Sequence, residues 1–135
     1  MSGLEIKVTY PGQKKVIADF KEFTVYTDQS KKNGGEGTAP EPYDLFLASV
    51  ATCTGYYVLA FCEKRDIPME GIELTQRHEF TDPGHLLSKV LIEIRVPKSF
   101  PKKYLDALAK AAGTCGVKKA IAAGPAFDIR AVAEA

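Results

Sequence analysis

From Leu45 to Cys62 the chain carries no charged residue, and a cysteine, Cys53, stands in the middle of that run. Pro42 precedes it, Asp44 falls in its first turn, and Glu63-Lys64-Arg65-Asp66 followed by Pro68 closes it. A proline at the first helical position, an acid in the first turn and a charged stop before a second proline are the punctuation of one long helix. A helix this apolar needs cover on most of its sides, so the rest of the chain is constrained by how it shields it. The run also reaches the length at which a membrane span has to be weighed. Ser49, Thr52, Thr54, Gly55 and two tyrosines interrupt it, no second such run follows and no basic bias flanks it. A buried core helix is therefore the expectation, with no membrane partner.

The 135 residues are the length of one ordinary domain, taken as 1–135, with room for a real core. Lys and Arg number 18 against 17 Asp and Glu, and the basic residues are scattered, so a nucleic-acid surface is not expected. Met1-Ser2-Gly3-Leu4-Glu5 shows no basic segment leading into an apolar one, the mark of a secretory signal. Three cysteines are an odd count without the spacing of a disulfide framework. Together these favour a reducing compartment, a cytoplasmic location and free thiols.

Around the helix the periodicity changes. Leu4, Ile6, Val8 and Tyr10 alternate with polar residues as in a half-buried strand, and Pro11-Gly12 offers a turn. Val16, Ala18 and Phe20 make a second strand, and Lys21-Glu22 turns the chain into a third at Phe23–Thr27. Asp28 to Glu41 is almost devoid of apolar residues, a loop long enough to be either disordered or functional. Beyond the helix, Ile72, Leu74, Gln76, His78 and Phe80 share one strand face, Thr81-Asp82-Pro83-Gly84 turns, and Val90, Ile92, Ile94 and Val96 line an antiparallel partner. Ser99 is the expected N-cap of a helix with Leu105, Leu108, Ala109 and Ala112 as its stripe and Gly113 as its stop. A short helix starting at Cys115 and a last strand at Phe127 and Ile129 complete the order βββ-α-ββ-αα-β. That order is α+β, with antiparallel sheets around a long central helix.

Cys53 and Cys115 are the sharp pair. Cys115 opens a helix, where free amide N–H groups favour a thiolate. Cys53 lies among Ala51, Thr52, Thr54 and Gly55, small residues that leave room for a substrate or a second sulfur. Two such thiols suit redox work, one attacking and the other resolving; two packed core cysteines are the plainer reading. Cys62, nine positions beyond Cys53 at about 100° per residue, falls on the opposite side of the helix and reads as core. His78 reads as an inward strand residue, or as a general base for a cysteine hydrolase with Cys53 as nucleophile. No CxxC or HxxxH pairing is present, so neither a metal nor another cofactor is expected.

The segment from Pro42 to Thr54, followed far downstream by Ala112-Gly113-Thr114-Cys115-Gly116-Val117, resembles the OsmC/Ohr family of organic hydroperoxide reductases and osmotically induced relatives. The family's first motif runs P-x-[ED]-L-L-x-A-x-x-x-x-C, and its second places a cysteine at the start of a short helix. The resemblance implies an intertwined homodimer with its central helices packed together. It implies Cys53 as the peroxidatic thiolate, Cys115 as the resolving thiol and Asp44 in place of a catalytic glutamate. Organic hydroperoxides would be the substrates and a small or protein dithiol the reductant. A non-catalytic binder of small apolar ligands in the same dimer pocket is the alternative. Two features depart from the family pattern: no arginine precedes Arg65, and Gly116 stands where proline is usual.

Overall fold

The computed structural model describes residues 3–134. The chain divides into two compact units, one ending at Ala48 and the other beginning at Ser49. The boundary falls inside the long helix α1, Pro42–Lys64.

In the first unit, β1 (Lys7–Gly12), β2 (Lys15–Phe20) and β3 (Phe23–Thr27) form the expected antiparallel meander, in the order β1-β2-β3. The first turn is at Gln13 and Lys14, two residues later than Pro11-Gly12. Thr9 pairs with Ile17 and Gly12 with Lys15, so β1 holds one extra residue between them. Pro11 falls within that bulge of an edge strand, where its missing N–H is tolerated. Leu4, Ile6, Val8 and Tyr10 are exposed, not half-buried as the alternation suggested.

The long segment after β3 is held by two carboxylates. Asp28 is fully buried and accepts bonds from the Gln29 amide at 2.7 Å, the Thr38 amide at 3.0 Å and the Thr38 hydroxyl at 2.7 Å. Those donors, the Thr38 hydroxyl first, hold its pKa at about 2 against the penalty of burial. Glu41 accepts from the Ser30 amide at 3.0 Å and the Asn33 side chain at 2.7 Å, which lowers its pKa as well. Gly35 is required where the chain doubles back, since a Cβ there would stand 2.1 Å from the Gln29 carbonyl oxygen. The segment ends at the start of α1 with Glu41 as the residue before Pro42. Its N–H donates to Asp44 Oδ2 at 3.0 Å, the return half of a capping box.

In the second unit, α1 ends in a left-handed residue, Asp66, with the Ile67 amide donating to Cys62 O at 2.9 Å and the Asp66 amide to Glu63 O at 3.3 Å. That pair of bonds closes the helix as a Schellman motif, and Ile67 folds back onto the core. β4 (Glu73–Phe80) and β5 (Leu87–Arg95) form the expected hairpin, with His78 opposite Val90 and Leu74 opposite Ile94. A 3₁₀ turn at Lys102–Tyr104 leads into α2 (Leu105–Ala112), and α3 spans Gly116–Ala123. Val58, Phe61, Cys62, Phe100, Leu108 and Ala112 are the buried core, flanked by Leu74, Ile94 and Val96 from the hairpin. Cys62 therefore packs as expected.

Three expectations fail. Pro101, not Ser99, precedes the 3₁₀ turn, because its fixed φ suits a helix start and no side-chain cap bond forms there. Leu105 and Ala109 are exposed, leaving Leu108 and Ala112 as the buried stripe of α2. The last strand does not form. Residues 124–134 are irregular, with Phe127 and Ile129 exposed, because their alternating pattern meets no strand edge to pair with among the described residues.

The cover expected all round α1 is also incomplete. Val50, Thr54, Val58 and Cys62 follow one another at four-residue steps and, with Phe61, are the only buried positions on it. Tyr43 and Tyr56 are exposed. By length and composition α1 could cross a membrane, and 28% of its most apolar window is buried within the chain.

Candidate functional site

The second unit brings Cys53 and Cys115 together. Cys53 lies on α1 beside the buried stripe and is half-buried; Cys115 is fully buried at the residue before α3. The chain reaches that point through a tight exit from α2, where the Gly113 amide donates to Ala109 O at 3.2 Å and Lys110 O at 3.1 Å. Thr114 then donates its hydroxyl to Ala111 O at 2.6 Å. These bonds aim Cys115 inward and leave its sulfur to cap α3, with the Lys118 amide donating to Sγ at 3.5 Å.

Burial by itself pushes the Cys115 thiol up. It is outweighed by donors that favour the anion: the Cys53 thiol, the Lys118 and Val117 amides, and the Thr54 hydroxyl. The net result is a Cys115 thiol more acidic than an ordinary cysteine. Cys62, in contrast, is pushed up by its burial, with Arg65 opposing the shift weakly. The two core-facing cysteines of this unit are thus separated by their surroundings: one meets donors, the other meets hydrocarbon.

Small residues flank Cys53 along α1, and a Cβ built on Gly55, about 200° round the helix from Cys53, meets nothing within 4 Å. Tyr56 and Tyr57 stack edge to face at 5.5 Å on the same stretch of helix. Thr54 was not singled out in the sequence, where it is one small polar residue in an apolar run. Its position four residues before Val58 and four after Val50, on the buried stripe and next to Cys53, is the signal that would have found it.

The other candidates have different surroundings. Asp44 is exposed and bonded to the Glu41 amide. His78 stands 2.7 Å, ring nitrogen to amide nitrogen, from the Gln76 side chain, with its ring 6.5 Å from that of Phe80. Its interactions are those of a strand residue, which gives a hydrolase no support. Arg65 lies over Phe61 at 3.6 Å and donates to its carbonyl at 3.1 Å, while Arg95 pairs with Glu93 at 2.9 Å. Among the described residues no cluster of three or more His, Cys, Asp and Glu could hold a metal ion.

Comparison with known proteins follows the same lines. The profile of the OsmC-like protein family matches residues 35–130. A solved structure from Psychrobacter arcticus 273-4, provisionally named an osmotic stress induced and detoxification response protein, is 25% identical. It superposes with a TM-score of 0.74 over 89% of this chain and 90% of that one. An organic hydroperoxide resistance protein OsmC from Legionella pneumophila is 21% identical, with a TM-score of 0.63 over 90% of each chain. A third, from Vibrio cholerae, bears a provisional name as an organic hydroperoxide resistance protein and holds captopril in one of its active sites. It is 18% identical, with a TM-score of 0.60 over 89% of this chain and 85% of that one. No curated protein sequence gives a significant match.

Proposed function

We propose that this chain, which belongs to the OsmC-like protein family, is a thiol-dependent peroxidase that reduces organic hydroperoxides through Cys53 and Cys115. The observation that carries the reading is the neighbourhood of the two thiols, one partly open to solvent and the other closed off. A half-buried thiol can be reached by a peroxide, and a buried one beside it is protected until it is needed.

The Cys53 thiolate attacks the distal oxygen of ROOH. An S–O bond forms as the O–O bond breaks, the alkoxide takes up a proton and leaves as ROH, and Cys53 is oxidised to a sulfenic acid. The Cys115 sulfur then attacks that sulfur, the S–S bond forms, and hydroxide leaves to become water. An external dithiol, small or protein-borne, reduces the disulfide by exchange and restores both thiols. A preference for organic peroxides over hydrogen peroxide is supported by the apolar character of the helix around Cys53, with Phe46, Tyr56 and Tyr57 on it. Two relatives of the same fold carry hydroperoxide resistance in their names, which supports the same reading.

The working form is a homodimer. Its supporting observation is the exposed apolar surface of α1, including Tyr56 at 60% exposure, which costs free energy when left in water. Asp44 enters the reading through the Glu41 amide it accepts from, as the acid that sets the first turn of α1. Free thiols at all three cysteines suit a reducing compartment such as the cytoplasm.

The test is steady oxidation of dihydrolipoamide driven by tert-butyl hydroperoxide. Turnover is expected with the native protein and its loss with Cys53→Ser. Absence of turnover with any dithiol tried ends the peroxidase reading.

A further inference from the structure

We propose that the cleft just beyond the C-terminal end of α1 is a binding site for a small monocarboxylate with an aromatic body, and that Arg65 is the residue that holds the carboxylate. The cleft has a volume of about 560 Å³, within the roughly 300 to 1,000 Å³ of pockets that take small molecules. It lies wholly in the second unit, between the residues that leave α1, the turn at Glu70 and Gly71 before β4, and the passage from β5 to α2. Arg65 comes twelve positions after Cys53, about 18 Å along the helix axis, so the cleft is separate from the thiol pair.

Arg65 is prepared for an anion. Its guanidinium carbon stands 3.6 Å from the centre of the Phe61 ring and 5.5 Å from that of Tyr104, and Nη1 donates to Phe61 O at 3.1 Å. Two aromatic rings and a carbonyl thus fix the group before any ligand arrives, which spares the ordering cost of a mobile side chain. Capping the helix end accounts for that one bond. The remaining N–H donors have no partner within hydrogen-bond distance among the described residues, and no carboxylate of those residues stands within ion-pair distance. A guanidinium offers paired donors that match the two oxygens of a carboxylate.

The rest of the wall selects what accompanies the charge. Pro68, Pro97 and Pro101 line the cleft and have no N–H to offer, while Phe100 and Tyr104 add ring surface. Side-chain donors are limited to Arg65 and the hydroxyls of Ser99 and Tyr104, so the complementary ligand carries its acceptors at one end and is apolar elsewhere. Asp66 and Glu70 also line the cleft. One fixed cation beside two carboxylates suits a single negative charge and disfavours a phosphate, which brings nearly two. The walls are set by the backbone: the Ile67 amide donates to Cys62 O at 2.9 Å, and the Phe100 and Tyr104 amides donate to Pro97 O and Pro101 O at 3.0 Å. Gly71 closes one side against Pro97, where a Cβ would stand 3.2 Å from the ring.

The experiment is titration of reduced protein with phenylacetate, followed by calorimetry and by the amide signals in NMR spectra. Saturable binding at one site per chain is expected, with the largest shifts at the amides of Gly71, Ser99 and Phe100. Phenylacetamide, of the same shape without the charge, is expected to bind about tenfold more weakly, the usual contribution of a hydrogen bond to a charged group. Phenyl phosphate is expected to bind more weakly than phenylacetate and to gain in Glu70→Gln. Arg65→Met is expected to abolish the preference for the acid over the amide, and Arg65→Lys to reduce it, because an ammonium lacks the fork. The comparison of ligands uses the native protein, so it decides the matter if Arg65→Met does not fold. Equal or tighter binding of the amide or the phosphate, shifts confined to other residues, or no saturation at millimolar concentration overturns the proposal. Binding and not turnover is read, so the peroxidase reading and this site can each fail while the other stands.

Discussion

Asp44 turns its carboxylate back onto the amide of Glu41, 3.0 Å away, so the acid in the first turn of the long helix is occupied in closing that helix. Glu41 in turn grips Ser30 and Asn33, which ties the helix start to the segment before it. A chain of two carboxylates thus connects a loop of unusual length to the element that carries Cys53.

Removing that cap is expected to lower stability without touching the thiols. Asp44→Ala should cost about 1 kcal/mol in chemical denaturation, the usual value of a lost cap. The pH profile of Cys53 alkylation should stay as in the native protein. A shifted profile in a fully folded Asp44→Ala protein would instead give the acid a part in the chemistry.

Acid should loosen the segment around Asp28. Its folded pKa lies at about 2, below the unfolded value near 3.8. A depressed carboxylate contributes stability that is fully present above the unfolded value and lost as pH falls through the folded one. Melting temperature is therefore expected to fall as pH drops from about 3.8 toward about 2. Asp28→Asn should flatten that part of the curve, and an unchanged slope would count against the Asp28 network as its source.

Gly35 should tolerate no side chain. A methyl group there would meet the Gln29 carbonyl, so the turn must open, and Gly35→Ala is expected to cost about 1 to 3 kcal/mol. Limited proteolysis between Asp28 and Glu41 should become faster in the variant. Equal cleavage rates would show that the close approach is easily relieved.

Leu108 is 2% exposed in the core beneath α2. Leu108→Ala should destabilise by about 2 to 5 kcal/mol through lost burial and the cavity left behind. Cys62→Ala, in the same core, should also destabilise while leaving hydroperoxide turnover per folded molecule unchanged. Loss of turnover in folded Cys62→Ala would bring that thiol into the reaction.

The homodimer has its own check. Tyr56→Glu places a charge on the exposed face of α1 and is expected to shift sedimentation from dimer to monomer. A native protein that sediments as a monomer at all concentrations would refute the dimer directly.

The amino-acid sequence by itself determined the element order through to α3. Period-2 alternation, a charge-free run and Pro and Gly punctuation are local signals, and they marked β1 to β5 and all three helices. It also marked Cys53 and Cys115, because a cysteine among small residues and a cysteine opening a helix are visible without coordinates. Tertiary structure decided what those signals could not carry. The alternating Phe127-Asp128-Ile129 has strand character but no ladder partner, so it stays irregular. Asp28 is silent in the sequence, since its burial depends on Thr38 returning to it. The acidity of the Cys115 thiol arises from groups on elements far apart in the chain. Periodicity reports which face a residue occupies; hydrogen bonds across elements, which set the chemistry of the pair, exist only once the chain has folded.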